Sequence, residues 1–274
     1  MSDNITVKEI QAKSILNKSG IPGMTYCLNP YTGCSHGCIY CYATFMRDYS
    51  NHTEEWGHFV DVKINLLEIL SREVKKKKTG HVCIGTVADP YQTAEQKYQL
   101  TRLAIKILKE HNFPFEILTK SSLIVRDLDL IKDYDNCSVE ITITTIDDNI
   151  RKLFEPNADS VENRLLCLEK LVSAGIKTSV FFGPVLPYFS DNDEAINKIF
   201  DTLEAVSIKR ILVDKLNYQD KKVPIIIEKL KSSYPNAIGY YQDLMKKPNN
   251  YEGKLRQRIL KIAQNKKINV EVLF

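Results

Sequence analysis

The segment "CSVEITITTID", residues 137–147, carries the clearest β-strand pattern in the chain. β-Branched residues dominate it, and its final Asp is of the kind that opens a turn. An amphipathic helix pattern follows over residues 160–175, with Ser160 as the N-cap and Gly175 at the end. Together the two segments predict a strand followed by a helix that packs against it.

The same alternation continues on both sides of this segment. Further strands are predicted over 24–30, 81–89, 113–120, 176–187 and 208–217, and further helices over 96–111, 123–134 and 193–206. Strands separated by helices favour βαβ units and a parallel sheet. About six strand–helix repeats precede residue 218, fewer than the eight of a complete barrel. The residues alone therefore leave open a partial barrel or a doubly wound sheet.

The C-terminal segment departs from this alternation. From Val223 onward the chain is Lys-rich and mostly helical in pattern, and it closes with "INVEVLF". No repeat, low-complexity segment or linker divides the chain. We therefore predict one domain, in which residues 1–222 form the core with an N-terminal extension and residues 223–274 form a C-terminal helical appendage.

Charge and hydropathy restrict the possible function classes. The 38 basic and 34 acidic residues leave a net charge of +4, which by itself does not indicate a nucleic-acid-binding protein. The Lys run at 75–78 ends a helical pattern and is expected to be solvated. No apolar signal region begins the sequence, and no run approaches the roughly 18 apolar residues of a membrane span. We expect a cytoplasmic protein with no membrane partner.

Seven cysteines in a reducing compartment indicate metal binding or catalysis rather than disulfides. Cys34, Cys38 and Cys41 are clustered in "GCSHGCIYCYA". A structural zinc site needs four ligands, for which His36 is poorly placed and Cys27 must fold back. A redox pair of Cys38 and Cys41 leaves Cys34 unexplained. A ferredoxin-type electron carrier needs four thiolates for each cluster.

The remaining hypothesis is a [4Fe–4S] cluster that is held by three cysteines and has an open fourth iron. An open coordination position lets a metal site bind a substrate or cofactor. Cys83, Cys137 and Cys167 are scattered over predicted strands and a helix, so we expect inert buried thiols there and assign them no role.

Polar residues recur where the predicted strands end. Asp89 follows the second strand, Lys120 the third, Thr144 the fourth, and Gly183 the fifth. In parallel α/β proteins the carboxyl ends of the strands meet at one edge, which hosts the active site. We therefore expect these side chains to lie close to the cysteine cluster.

These segments resemble the radical S-adenosylmethionine superfamily, and within it the spore photoproduct lyase-like, or DNA-repair-photolyase-like, subgroup. The resemblance covers roughly residues 25–220. It rests on "GCSHGCIYCYA" together with "GTVADPYQTAEQKYQLTR" (85–102), "ILTKSSLIVRDLDL" (117–130), "EITITTID" (140–147) and "LFEPNADSVENRLLCLEKLVSAGI" (153–176). With this resemblance, the predicted fold class is α/β, a partial (βα)6 TIM-like barrel of parallel strands with a C-terminal helical appendage.

The resemblance also implies a chemistry. The cofactors are a [4Fe–4S] cluster and S-adenosylmethionine, which an electron donor such as flavodoxin or ferredoxin helps to cleave to a 5′-deoxyadenosyl radical. That radical abstracts hydrogen from an unidentified substrate, which is a small molecule, a peptide or a nucleic acid. A non-catalytic iron–sulfur or zinc-binding protein is the alternative, and a nucleic-acid lesion-repair lyase is the alternative within the enzyme class.

By this resemblance, Cys34, Cys38 and Cys41 are the metal ligands. Tyr40 comes directly before the third cysteine, where the superfamily places an aromatic ring against the adenine. Core packing is the other interpretation of Tyr40.

Five further residues are expected to bind the cofactor. Asp89 corresponds to the acceptor for the methionyl amino group, although it also fits an Asp-Pro turn. Lys120 corresponds to the cation for the methionyl carboxylate, unless it is an exposed strand-end lysine. Thr142 and Thr144 share one face of a strand and are expected near the ribose. Arg164 is either a partner for a carboxylate or a solvent-facing helix residue.

One departure from the subgroup limits the analogy. Spore photoproduct lyase returns hydrogen to its product from a cysteine on the second strand, but Thr86 occupies that position here. Cys83 lies three residues earlier and so points to the opposite face. This difference argues against repair of spore photoproduct as the reaction.

Glu155 is compatible with two interpretations, a residue of the site or a residue of a turn.

Overall fold

The computed structural model describes residues 5–217, 219–246 and 248–274, in which a mainly parallel sheet alternates with helices. The strands are β1 (Thr6–Ile10), β2 (Leu16–Lys18), β3 (Tyr26–Leu28), β4 (Tyr31–Thr32), β5 (Phe59–Lys63), β6 (Val82–Ile84), β7 (Phe115–Thr119), β8 (Cys137–Thr142), β9 (Lys177–Phe182), β10 (Arg210–Val213) and β11 (Asn269–Val272). The α-helices are α1 (Leu66–Lys76), α2 (Ala94–Tyr98), α3 (Leu100–Glu110), α4 (Leu128–Ile131), α5 (Asp148–Phe154), α6 (Val161–Ser173), α7 (Asp193–Ala205), α8 (Gln219–Leu230), α9 (Pro235–Lys246) and α10 (Pro248–Ala263). Two 3-10 helices are η1 (Tyr42–Tyr49) and η2 (Ser122–Asp127).

The main sheet has the strand order β11-β10-β9-β8-β7-β6-β3-β2. From β3 to β11 each neighbouring pair is parallel, and only β2 joins antiparallel, at one edge. The six predicted parallel strands are β3 and β6 to β10, in chain order. Because β2 and β11 form two separate edges, the sheet is open. The predicted α/β fold with a partial barrel is confirmed.

The C-terminal segment contributes three helices, α8 to α10, and one unpredicted strand. Strand β11 pairs in parallel with β10, so that "NVEV" extends the sheet. The half-buried and exposed positions of β11 alternate, which is the pattern of an edge strand with one covered face. The division into residues 1–222 and 223–274 remains a prediction.

The helix predicted over 96–111 is interrupted. Gln99 has φ 51°, a left-handed conformation, and separates α2 from α3. The carboxylate of Glu95 accepts hydrogen bonds from the backbone N–H groups of Thr101 and Arg102, and so caps α3. The Glu95 side chain thus provides hydrogen-bond acceptors for backbone N–H groups in the first turn of α3. Apolar periodicity in the sequence does not reveal this contact.

An N-terminal sheet of order β1-β5-β4 lies beside the main one. It is followed by α1, whose end carries the predicted solvated lysines: Lys75, Lys76 and Lys78 are exposed. None of the helices in the described ranges is long and apolar enough to cross a membrane.

Alternation along the strands separates the two faces of the main sheet. Ile117, Val139, Ile141 and Val180 are fully buried and belong to one apolar cluster with residues of α3 and α6. Each such side chain contributes about 1.5–3 kcal/mol through burial. The opposite face of β8 carries Glu140 and Thr142, so the inner face of the partial barrel is partly polar.

Glu140 is a buried carboxyl group on this inner face. It is 4% exposed, accepts a hydrogen bond from Ser179 Oγ at 3.0 Å, and shares the interior with Glu116. Burial and then the charge of Glu116 raise the pKa of Glu140 to about 7, although Arg210 opposes this shift. The protonated form is therefore favoured in the folded chain.

Replacing Glu140 with Gln should make the free energy of unfolding less dependent on pH. A carboxyl with a raised pKa favours folding fully below the unfolded pKa of 4.5, and this contribution is lost as the pH rises through about 7. We expect the variant to be about 1–3 kcal/mol more stable than the wild type at pH 8, and nearly equal at pH 5. Urea unfolding at both values measures this, with exposed Glu169→Gln as the control. An equal effect at pH 5 and pH 8 would disprove it.

Candidate active site

One cavity of about 510 Å³ opens at the carboxyl ends of strands β6 to β10. Of the nine residues proposed from the sequence, seven line it: Cys34, Cys38, Cys41, Tyr40, Asp89, Lys120 and Thr142. Thr144 and Arg164 do not line it. The parallel topology therefore brings the cysteine segment and three strand ends to the same place.

The cysteine segment is held by two amides from distant parts of the chain. The Gln92 side chain accepts a hydrogen bond from the Ser35 backbone N–H at 2.8 Å and donates one to the Gly33 carbonyl at 3.1 Å. Asn157 Nδ2 donates to the Ser35 carbonyl at 3.0 Å. Gly33 has φ +79°, and a Cβ there would lie 2.5 Å from the Phe59 carbonyl oxygen, so the turn requires glycine.

The three clustered thiols are free and largely enclosed. Cys34 and Cys38 are buried, and Cys41 is half-buried. Burial, followed by the charge of Asp89, raises the pKa of Cys34 to about 12, and burial also raises the pKa of Cys38 and Cys41. These thiols are protonated at neutral pH, so a metal that binds them must displace their protons.

The donor set fits an iron–sulfur cluster better than a zinc ion. Each cysteine of a cluster binds a different iron, so sulfurs distributed around a cavity wall are suitable ligands. Cys27, the fourth ligand considered for zinc, instead lies on β3 opposite Cys83 of β6 and does not line the cavity. Within the part of the chain that is described, no three His, Cys, Asp or Glu side chains converge on one ion.

The Asp89 side chain connects the segment after β6 to the end of β7. Its Oδ1 accepts hydrogen bonds from Thr119 Oγ1 at 2.7 Å and the Tyr91 backbone N–H at 2.9 Å, and its Oδ2 accepts one from the Lys120 backbone N–H at 2.8 Å. His36 Nδ1 lies 3.4 Å from Oδ2 without hydrogen-bond geometry. Burial raises the pKa of Asp89, but His36, Lys120 and Thr119 outweigh it, so the pKa falls below its usual range. Asp89 therefore both stabilises the predicted turn and lines the cavity.

The Lys120 ammonium lies in the cavity wall, 5.9 Å from the centre of the Tyr40 ring. Burial lowers its pKa, but Cys38 in its ionised form and the carboxylates of Glu155 and Asp89 outweigh this and raise it. Among the described residues no hydrogen bond or ion pair to this ammonium is formed. Lys120 is therefore a charged donor that faces the cavity and can receive an anionic group.

Glu155 lies behind the cavity wall and fixes the position of Tyr40, which lines the cavity. Its Oε1 accepts hydrogen bonds from the Tyr40 hydroxyl and from Thr144 Oγ1, the latter at 3.0 Å. Its Oε2 accepts from Arg164 Nη2 at 2.5 Å. Burial raises the pKa of Glu155, but Arg164, Lys120 and Tyr40 outweigh it, so the pKa is lowered and the group stays ionised.

Arg164 and Thr144 lie behind the cavity wall, and Arg164 is the partner of a carboxylate, which is one of the two expectations for it. Arg164 is 1% exposed, so it is not solvent-facing, and its other donors bind the carbonyls of Thr142 and Asp159 at 3.0 Å. The carboxylate that it reaches is Glu155 of this chain rather than one of a cofactor. Both residues position Glu155, and through it Tyr40.

Thr142 is the opposite case. Its Oγ1 is buried and has no hydrogen-bond partner in the described chain, and the residue lines the cavity. A buried hydroxyl without a partner costs free energy unless a ligand completes it. Thr142 is therefore suited to bind a polar group of a ligand, and its place near the ribose stays a prediction.

The cavity wall also includes Asp214, which the sequence did not single out. Asp214, directly after β10, accepts hydrogen bonds at 2.8 Å from the Lys215 backbone N–H and from Asn217 Nδ2. Thr86 also lines the cavity, whereas Cys83 is buried on β6 outside it. Cys137 and Cys167 are buried as well, as expected for inert thiols.

Comparison with known proteins identifies the family. A family model described as the Radical SAM superfamily matches residues 28–199. An uncharacterised protein of Methanocaldococcus jannaschii is 35% identical over 198 residues, which are 72% of this chain and 74% of that protein. Spore photoproduct lyase complexed with dinucleoside spore photoproduct has a TM-score of 0.74 at 14% identity, over 98% of this chain and 82% of that chain.

A second solved structure is Streptococcus suis SuiB bound to S-adenosylmethionine, with a TM-score of 0.58 at 15% identity over 90% of this chain and 50% of that chain. At these identities the solved structures show a common fold, which agrees with the fold that the resemblance implies. The family model spans more than half of the chain, and its matched region contains the three clustered cysteines and the ends of β6 to β9 around the cavity. The chain therefore belongs to the radical S-adenosylmethionine superfamily of enzymes.

Proposed function

We propose that Cys34, Cys38 and Cys41 hold a [4Fe–4S] cluster in this cavity, with S-adenosylmethionine bound beside it. The observation that carries the proposal is the convergence of three thiols, an unpaired ammonium and an unpaired hydroxyl on one cavity. When bound, this cofactor pair supplies reductive cleavage to a 5′-deoxyadenosyl radical for hydrogen abstraction.

The residues of the chain divide the binding task between them. Lys120 provides the cation for the methionyl carboxylate, and Asp89 provides the acceptor for the methionyl amino group. Thr142 Oγ1 completes its hydrogen bond with the ribose, and the Tyr40 ring, held by Glu155, forms the adenine contact. Apolar wall residues such as Leu118 and Phe181 exclude water from the site.

In this proposal the substrate occupies the part of the cavity that is lined by residues without a cofactor task, such as Asp214 and Thr86. The solved relatives differ in what they bind: spore photoproduct lyase has been solved with a dinucleoside lesion, and SuiB with a precursor peptide. A lesion-repair lyase is therefore the second candidate. Thr86 at the position of the hydrogen-donating cysteine disfavours repair of spore photoproduct itself. An electron donor such as flavodoxin or ferredoxin is required in either case.

Metal content and spectroscopy test this proposal. Protein reconstituted anaerobically should contain about four irons per chain. S-adenosylmethionine should change the electron paramagnetic resonance spectrum of the reduced protein, because it binds at the open iron. Full iron loading with a spectrum that does not respond to S-adenosylmethionine would support the electron-carrier alternative instead.

Replacing Lys120 by Met should weaken cofactor binding. We expect the KM for S-adenosylmethionine to rise about 10–100-fold, because a charge-assisted hydrogen bond contributes about 1.5–3 kcal/mol. Iron content should be unchanged, since Lys120 is not a ligand. Steady-state kinetics of 5′-deoxyadenosine formation measure the effect.

The matched control is Lys132→Met, which removes the same charge from an exposed position at the end of α4. Its KM should equal that of the wild type. Equal KM values for the Lys120→Met variant and the wild type would remove Lys120 from the binding site.

A further inference from the structure

Lys222 is a buried lysine outside the cavity wall. It lies on α8, is 3% exposed, and its Nζ donates a hydrogen bond to Thr44 Oγ1 at 2.6 Å. Among the residues that the structure describes, no carboxylate forms an ion pair with it. Burial of an ammonium without a counter-charge is costly, and one hydroxyl satisfies only one of its three donors. The environment of Lys222 therefore lacks an anion.

The hydrogen bond to Thr44 places the Lys222 ammonium near the third clustered cysteine, Cys41. Thr44 lies on η1, three residues after Cys41, and its hydrogen bond brings the ammonium to the start of that helix. The Cys41 sulfur and the Lys222 ammonium interact electrostatically. Lys222 does not line the cavity, so its side chain does not occupy the space where a ligand would bind.

We propose that Lys222 is the counter-charge of the iron–sulfur cluster and raises its reduction potential. This inference rests on the proposed function, because it requires a cluster at Cys34, Cys38 and Cys41. Three thiolates carry negative charge, and reduction adds one more. A fixed buried cation beside one of them stabilises the reduced form more than the oxidised form.

The proposal also gives helix α8, which spans the predicted boundary between the core and the C-terminal appendage, a part in the chemistry. Helix α8 supplies the charge, whereas the sulfurs come from the segment before η1. Lys222 is a positioning residue in this role, since it acts through the cluster and contacts neither substrate nor S-adenosylmethionine. A change of potential distinguishes this role from a purely structural one.

The first measurement is the midpoint potential of the reconstituted protein, from an anaerobic redox titration followed by electron paramagnetic resonance. Lys222→Met should lower the ratio of reduced to oxidised cluster about tenfold at a fixed potential, a shift of about 59 mV for one electron. Lys222→Arg keeps the charge and should stay close to the wild type. Lys221→Met is the matched control, because it removes the neighbouring exposed charge and should have no such effect.

The second measurement is the urea midpoint of unfolding, with and without the cluster. In cluster-free protein the ammonium lacks a counter-charge, so Lys222→Met should unfold at the same or a higher urea concentration than the wild type. In the protein that carries the cluster, Lys222→Met should unfold at a lower urea concentration than the wild type. A variant that folds but loses its cluster also supports the proposal, provided that its cluster-free form is as stable as the wild type.

The outcomes separate this inference from the function on which it rests. If wild-type protein binds no iron, both fall. If Lys222→Met binds iron with the wild-type potential, only the counter-charge proposal falls. Equal destabilisation of the cluster-free and loaded forms would also overturn it, since that result indicates a structural hydrogen bond to Thr44.

Discussion

Replacing Cys38 with Ala is expected to abolish iron–sulfur loading and S-adenosylmethionine cleavage together. Cys38 is 6% exposed and lines the cavity between the other two thiols in sequence. Two remaining sulfurs cannot hold three irons, and no other described cysteine lines this cavity to replace the third. Iron content after anaerobic reconstitution and 5′-deoxyadenosine formation should both fall to background.

The matched control is Cys167→Ala, which removes a similarly buried thiol from α6 that does not line the cavity. It should retain the iron content of the wild type. Unfolding curves of the cluster-free variants show that both are folded. Wild-type iron content in the Cys38→Ala protein would contradict the assignment of the ligands.

Glu155→Ala is expected to destabilise the cluster-free protein by about 3–5 kcal/mol, the range for breaking one partner of a buried ion pair. The side chains of Glu155 and Arg164 are 0% and 1% exposed. Removing the carboxylate leaves the Arg164 cation without its counter-charge and leaves the hydroxyls of Tyr40 and Thr144 without their acceptor. Urea unfolding of cluster-free protein measures the loss.

Two variants make this expectation specific. Glu162→Ala changes an exposed carboxylate on the neighbouring turn of α6 and should have little effect. The double variant Glu155→Leu/Arg164→Met should be less destabilised than the sum of its two single changes, because it removes both charges of the pair. A Glu155→Ala protein within about 0.5 kcal/mol of the wild type, the usual range for surface changes, would show that this pair does not hold the wall.

The fold was predictable because each element is encoded locally. The strand residues of β8 and the capped helix α6 show their periodicity within about fifteen residues of sequence. Strand β11 was missed because it is a short edge strand, and its pairing with β10 is set by a partner nearly sixty residues earlier.

The cavity wall was predictable for a topological reason. Parallel strands end at one edge, so Asp89 and Lys120 had to lie near each other once the strands were identified, whereas Thr144, expected at the same edge, does not line the cavity. The family resemblance then suggested their tasks, which remain proposals. The sequence did not show that Asp89 also connects strands β6 and β7 through Thr119.

The supporting contacts could not be predicted, because they join distant parts of the chain. Gln92 and Asn157 hold Ser35 from 57 and 122 residues away, and Lys222 reaches Thr44 over 178 residues. Arg164 carried one usable signal. It falls on the same stripe of α6 as the buried Val161 and Leu168, where an arginine indicates a buried ion pair.

The decisive measurement is the yield of 5′-deoxyadenosine from wild-type protein that has been reconstituted anaerobically and given S-adenosylmethionine and dithionite. A three-cysteine cluster with an open iron predicts 5′-deoxyadenosine and methionine in equal amounts, with none from Cys38→Ala. Protein that binds zinc and no iron under these conditions, and forms no 5′-deoxyadenosine, would contradict it.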